Sequence, residues 1–175
     1  MILNERNLRN EQLQLVARQM ATAARTAPKA KGFDILDIVV VDDNEITRLS
    51  EKMKEIASAK NLNFFIRDAE NILHAEAILI IGTKDQSLGL NCGYCGFSSC
   101  AEKDAQAKFT CALNVTDVGI AIGSAVAIAA DCRVDCRVMF SVGLAAKELG
   151  WINDCHVAYG IPISASSKNP FFDRK

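Results

Sequence analysis

Apolar residues recur every three or four positions from Glu5 to Ala27, with Leu13, Val16, Met20 and Ala24 on one face. That spacing predicts a helix, which Pro28 and Gly32 end. Ile35 to Val41, ILDIVVV, is a β-branched run and predicts a buried strand. In DDNEITRLSEKMKEIASAK the stripe Ile46, Leu49, Met53 and Ile56 predicts a second helix, with the leading Asp and Asn residues available to cap its first turn. Short strands are predicted at Asn63 to Ile66 and Ala77 to Ile81, on either side of a helical turn at Ala69 to Ala75. Asp135 predicts the cap of a later helix that runs through Val138, Val142, Ala145, Ala146 and Leu149 and stops at Gly150. Cys155 to Ile163 predicts a last strand. Helices cluster late instead of alternating strictly with strands, so the expected fold is α+β, a layered sheet with packed helices.

Val115 to Ala130, VTDVGIAIGSAVAIAA, is the longest apolar run. A membrane-spanning helix needs roughly 20 apolar residues. This run is shorter, holds Asp117 and is followed by charged residues, so it reads as a buried helix. Gly119 and Gly123 are four apart on one face of it, which lets another backbone approach, in the core or across a dimer.

Length and charge narrow the remaining choices. The 175 residues suit a single domain, 1–175, and half of them are apolar, which excludes disorder. Twenty basic residues against 21 acidic ones leave a net charge of −1, with no electrostatic footprint for nucleic acid or an acidic membrane. The start, MILNERNLRNEQ, turns polar at its fourth residue and has no apolar signal core, so a cytoplasmic protein is expected. There thiols stay reduced, and seven cysteines, an odd number, argue against a disulfide framework.

Four of the seven lie in the segment 91–111, NCGYCGFSSCAEKDAQAKFTC, with the spacing C-x2-C-x4-C-x10-C at Cys92, Cys95, Cys100 and Cys111. A C-x2-C pair grips one metal centre from a tight turn, and Gly93 and Gly96 permit the positive φ angles such turns use. Zinc more typically takes two separated pairs of ligands. Here the gaps widen progressively, which suits a [4Fe-4S] cluster on four thiolates. Zinc, and thiol exchange at Cys92-Gly93-Tyr94-Cys95, are the alternatives. Cys132, Cys136 and Cys155 read as structural thiols. His74 and His156 lack a triad-like neighbourhood and read as structural, while Phe171 and Phe172 can anchor the tail on its own core or on a partner subunit.

The segment NCGYCGFSSCAE resembles the 4Fe-4S segments of bacterial and archaeal electron-transfer and corrinoid proteins, C-G-x-C-G-x-x-x-C followed by a later cysteine. The last gap is shorter here, which makes Cys111 the least firmly marked ligand. A fuller resemblance is to a family of uncharacterised proteins containing a ferredoxin domain, carried by ARTAPKAKG, NCGYCGFSSC, DVGIAIGSAVAIAA, RVDCRVMFSVGLAAKELG and SASSKNPFFDRK. More distantly, ARTAPKAKGFDILDIVVV, the Gly-rich helix and WINDCHVAYGIPIS with its lysine-bearing tail resemble the FMN-dependent nitroreductases. That likeness implies an α+β homodimer with flavin at the interface, its phosphate on basic residues at the positions of Arg25 and Lys168. Gly32-Phe33-Asp34 replaces the polar residues and Trp usual after the first helix, so weak or no FMN binding is expected, with the cysteine segment filling the flavin's volume. The overall expectation is a cytoplasmic homodimeric iron-sulfur protein that exchanges electrons with a redox partner protein or small-molecule donor. If it is an enzyme it is an oxidoreductase. A binding module with a structural zinc is the reading of a different class.

Overall fold

The computed structural model describes residues 1–152 and 154–172. Its centre is an antiparallel sheet of four strands in the order β1-β2-β4-β3: β1 Leu36–Val41, β2 Ala77–Thr83, β3 Asp135–Cys136 and β4 Val157–Ser164. Side chains alternate across a strand. Ala77, Leu79 and Ile81 of β2 therefore face one apolar layer, and Ile78 and Ile80 face another. Every residue of β2 is buried because helices cover both faces.

The first layer is made by α1, Glu5–Thr26, and α5, Ala112–Asp131. Asn4 caps α1 by accepting the Arg6 N–H at 3.0 Å. Leu13, Ala17, Met20 and Ala24 form the buried stripe of α1, with Ala17 taking the innermost place that the pattern gave to the half-buried Val16. After Ala27 and Pro28 a single 3-10 turn, Ala30–Gly32, brings the chain into β1. The second layer holds α2, Asp43–Lys60, α3, Asn63–Ile72, and α6, Phe140–Glu148. The stripe Ile46, Leu49, Met53 and Ile56 is buried as the pattern predicts. Asp42 stands at the N-cap of α2 without a side-chain capping bond. Phe171 is fully buried in this layer, its carbonyl accepting from Arg137 at 2.8 Å, so the tail anchors on its own core.

Three sequence expectations are corrected. Asn63 to Ile66 is the first turn of α3 and not a strand. Phe65, Ala69 and Ile72 bury at spacings of four and three, a helical period that four residues are too few to reveal. Asp135 does not cap a helix, because Asp135 and Cys136 pair with Ser164 and Ile163 as a sheet edge, and α6 begins only at Phe140. Long-range pairing there overrides a local capping signal. The apolar helix α5 is buried on one side only. Val115, Gly119, Ile120 and Gly123 lie on its open side, and a Cβ added at either glycine would meet nothing within 4 Å.

Helix α6 sits closer to the sheet than side chains would ordinarily permit. A Cβ at Gly143 would lie 2.0 Å from the Ala158 carbonyl oxygen, and one at Gly160 would lie 2.1 Å from Val142 Cγ1. Glycine on both surfaces is what lets α6 and β4 touch. Gly143→Ala and Gly160→Ala are each expected to cost about 1–3 kcal/mol or more. Thermal unfolding checks this, with a fall of roughly 2–4 °C per kcal/mol for a chain of this size.

Candidate metal centre

The cysteine segment lies at the end of the sheet where β1 begins, β2 ends and β4 begins, since Leu36 pairs with Thr83 and Thr83 with Val157. Leaving β2, the chain passes through four left-handed residues, Gly89 (φ 70°), Asn91 (46°), Gly93 (74°) and Gly96 (89°). The Gly96 N–H donates to the Gly93 carbonyl at 2.9 Å and closes the turn that carries Cys92 and Cys95. The two glycines take the conformations the spacing called for. Asn91 is tied to Cys100 twice: its Oδ1 accepts the Cys100 N–H at 2.8 Å, and its own N–H donates to Cys100 Sγ at 3.4 Å. Ser99 caps the short α4, Cys100–Asp104, by accepting the Glu102 N–H at 3.1 Å. The Glu102 carboxylate accepts in return from Ser98, whose side chain and then backbone hold its pKa below the ordinary value.

Cys111 occupies the N-cap of α5 and is 6 % exposed. Its N–H donates to Asp85 Oδ1 at 3.0 Å, and the other oxygen of Asp85 accepts from the Lys103 ammonium. Lys103 is only 1 % exposed, and Asp104 gives it a second carboxylate at 3.3 Å. Burial alone would lower the Lys103 pKa, but the hydrogen bond and charge of Asp85, then those of Asp104, outweigh it and raise the value. Asp85 thus joins the helix that begins with Cys100 to the helix that begins beside Cys111. Phe97 and Phe109 clasp the two ends of the segment edge to face at 5.1 Å, and Thr110 contacts His156 Nδ1 at 3.3 Å. None of Asp85, Asn91 or Lys103 was singled out in the sequence. Lys103 stands in the charged run AEKDAQAK.

Cys92 is exposed, Cys95 and Cys100 are half-buried and Cys111 is buried. The bonds from Asn91 and Asp85 relate these positions. They do not close them: among the described residues no three His, Cys, Asp or Glu side chains converge to hold one ion. The donor set itself fits an iron-sulfur cluster, with four thiols, a positive-φ turn and an N–H already directed at a sulfur. A further donor, Asn114 Nδ2, one turn beyond Cys111, is buried without an acceptor while its Oδ1 accepts from Gln86 at 2.9 Å.

The other thiols lie elsewhere. The twenty residues of α5 carry Cys132 about 30 Å from Cys111. Cys136 is half-buried in β3, its pKa raised by burial and then by Asp135. Cys155 is 4 % exposed and is pushed up to about 12 by burial and by Asp37, which lies 3.7 Å from its sulfur. Arg25 donates to both oxygens of Asp34 at 2.8 Å and to the Leu36 carbonyl at 2.9 Å. Lys168 follows the far end of β4, so within one chain the length of β2, about 20 Å, separates it from Arg25.

Lys103→Met is expected to destabilise the fold by about 3–5 kcal/mol, since it strands the Asp85 carboxylate. The folded pKa of Lys103 is raised, so its contribution is complete below the ordinary value of 10.5 and is lost as the pH rises through the folded one. Urea unfolding from pH 7 to 12 should show the wild-type advantage over Lys103→Met shrinking only at the alkaline end.

Comparison with known proteins bears on the family and the fold. The sequence profile described as an uncharacterized protein containing a ferredoxin domain matches residues 108–174, a span that includes Cys111 and not Cys92, Cys95 or Cys100. An uncharacterized protein of Archaeoglobus fulgidus is 46% identical over 182 aligned residues, covering 99% of this chain and 98% of that one. In structure the chain is similar to an oxidoreductase containing FMN, with TM-score 0.60, 14% identity and coverage of 89% of this chain and 68% of the other. It is similar also to a nitroreductase with bound FMN from Desulfitobacterium hafniense DCB-2, with TM-score 0.58, 15% identity and coverage of 96% and 81%. Likeness at these identities concerns the fold. The chain belongs to the family of uncharacterized proteins containing a ferredoxin domain, built on a nitroreductase-like α+β fold.

Proposed function

We propose that the protein is an iron-sulfur redox protein whose [4Fe-4S] cluster is held by Cys92, Cys95, Cys100 and Cys111. The observation that carries the reading is the Asn91 N–H donated to Cys100 Sγ inside a turn of left-handed residues, in a family described by its ferredoxin domain. Such a cluster supplies reversible one-electron transfer, at a potential set by hydrogen bonds to sulfur, local charge and exposure. Asn91 supplies the hydrogen bond. Lys103, one turn beyond Cys100, ties α4 to Asp85 and so helps to fix where Cys100 stands. Cys111 is shielded from water and Cys92 is exposed, which leaves the Cys92 side open to a redox partner protein or small-molecule donor. Seven unpaired thiols suit a reducing, cytoplasmic setting.

The flavin alternative draws on the FMN of the structurally similar proteins. Against it, the Arg25 guanidinium is engaged by Asp34 and the Leu36 carbonyl. We favour the cluster and expect FMN titrated into the protein to bind weakly or not at all. The open side of α5, with Val115, Gly119, Ile120 and Gly123, is where a second copy of the chain would dock in a homodimer.

Anaerobically purified protein is expected to show a full iron complement and a visible absorption that bleaches on reduction. Serine at Cys92, Cys95, Cys100 or Cys111 should lower iron sharply, while Cys132→Ser and Cys136→Ser should retain it. Full iron in Cys111→Ser, or colourless zinc-loaded wild type, would contradict the reading. For assembly, Gly123→Leu is expected to give a folded monomer by sedimentation, because nothing in the protomer lies within 4 Å of the new side chain's first atom. A wild-type monomer at micromolar concentration would remove the dimer.

A further inference from the structure

At the end of the sheet opposite the cysteine segment, three arginines from two separate segments converge. Arg6 and Arg9 lie in the first turns of α1, and Arg133 stands in the turn between α5 and β3 with a left-handed φ of 58°. With Ala165, Ser166 and Ser167 beyond β4 they wall a cavity of about 550 Å³. A second cavity of about 570 Å³ shares Arg9 and Ala165 with the first, and Leu8, Leu13, Val16 and Val134 are among the apolar residues lining it. Each is within the roughly 300–1,000 Å³ range of small-molecule sites.

The charges in the two cavities do not cancel. Arg9 is paired with Glu5, its Nε and Nη2 donating at 3.0 and 3.2 Å. Arg6 and Arg133 make no salt bridge among the described residues. Among the side chains lining the cavities, three guanidiniums stand against the one carboxylate of Glu5, with the Glu76 carboxylate, its Oε2 buried, also acting on Arg9. Positive charge is therefore left over, and the N-terminus of α1 adds the positive end of a 22-residue helix. A phosphate monoester carries about −1.5 to −2 at neutral pH and presents three acceptor oxygens. Guanidinium forks match that geometry in pairs, and serine hydroxyls can donate beside them. The shared wall means that a ligand anchored by its phosphate would place its body against leucine and valine.

We propose that the two cavities form one binding site for a phosphate monoester with an apolar body, the phosphate held by Arg6, Arg9 and Arg133 and the body lying against Leu8, Val16 and Val134. The site is independent of the iron-sulfur reading and lies at the opposite end of α1 from Arg25.

The test is calorimetric titration of the full-length protein with 1-naphthyl phosphate, with inorganic phosphate and 1-naphthol as separate arms. Naphthyl phosphate is expected to bind at least about ten-fold tighter than either fragment, because both cavities contribute. Arg6→Gln and Arg133→Gln, at exposed positions whose loss leaves the core intact, should each weaken it about ten-fold or more. Val16→Trp, which fills the apolar cavity, should abolish the preference for naphthyl phosphate over inorganic phosphate, and Arg25→Gln should change nothing. Unfolding midpoints verify that each variant is folded. Absence of saturable naphthyl phosphate binding, equal affinity in wild type, Arg6→Gln and Arg133→Gln, or a loss seen instead in Arg25→Gln would overturn the proposal.

Discussion

A lysine ammonium that is 1 % exposed keeps its charge only if carboxylates replace the water it has lost, and Asp85 and Asp104 do so for Lys103. Replacing such a pair by well-packed apolar residues is often neutral or favourable, whereas removing one partner alone is costly. Its value here is geometric. Asp85 leaves the end of β2, Lys103 belongs to α4, and the second oxygen of Asp85 takes the N–H of Cys111 at the head of α5. One carboxylate therefore fixes a strand end and two helix starts against one another. Cys100 and Cys111, separated by ten residues with only one short helix among them, depend on that junction for their relation, and Asn91 extends it to the turn bearing Cys92 and Cys95.

The rest of the fold supplies a rigid base for this junction. β2 is buried on both faces, and the α6–β4 contact through Gly143 and Gly160 holds one helix layer at backbone distance from the sheet. His156, next to β4, reaches Thr110, so the same sheet end that starts the cysteine segment also steadies its last residues. Nitroreductase-like architecture thus accounts for the layers, and the cysteine segment lies at one sheet end. Fold alone does not supply function. Any chemistry the protein performs rests on side chains that the layers merely position.

The layers were legible in the sequence wherever a period ran long enough to be counted. The stripes of α1 and α2 span several turns, and ILDIVVV is a run that fits little but a buried strand. Asn63 to Ile66 was not legible as helix, because one turn cannot distinguish a period of two from one of 3.6. Asp135 misled because its pairing with Ser164 is set by distant chain. In the site, cysteine spacing and the glycine positions could be read, since both are local. Lys103 could not: its burial depends on Asp85, eighteen residues earlier, and a charged residue in a charged run carries no mark of what it will meet. Arg6, Arg9 and Arg133 were silent for the same reason, being brought together only when α1 and α5 pack side by side.

The assignment of four thiolates to one redox centre is most directly tested by electron paramagnetic resonance of the anaerobically purified, full-length protein before and after one-electron reduction. A [4Fe-4S] cluster on Cys92, Cys95, Cys100 and Cys111 has an even electron count in one state and an unpaired electron in the other. A signal should therefore appear or vanish with the added electron, and be absent from Cys100→Ser in both states. A protein that is silent in both states, with zinc in place of iron, would contradict the cluster and reduce the segment to a structural metal site.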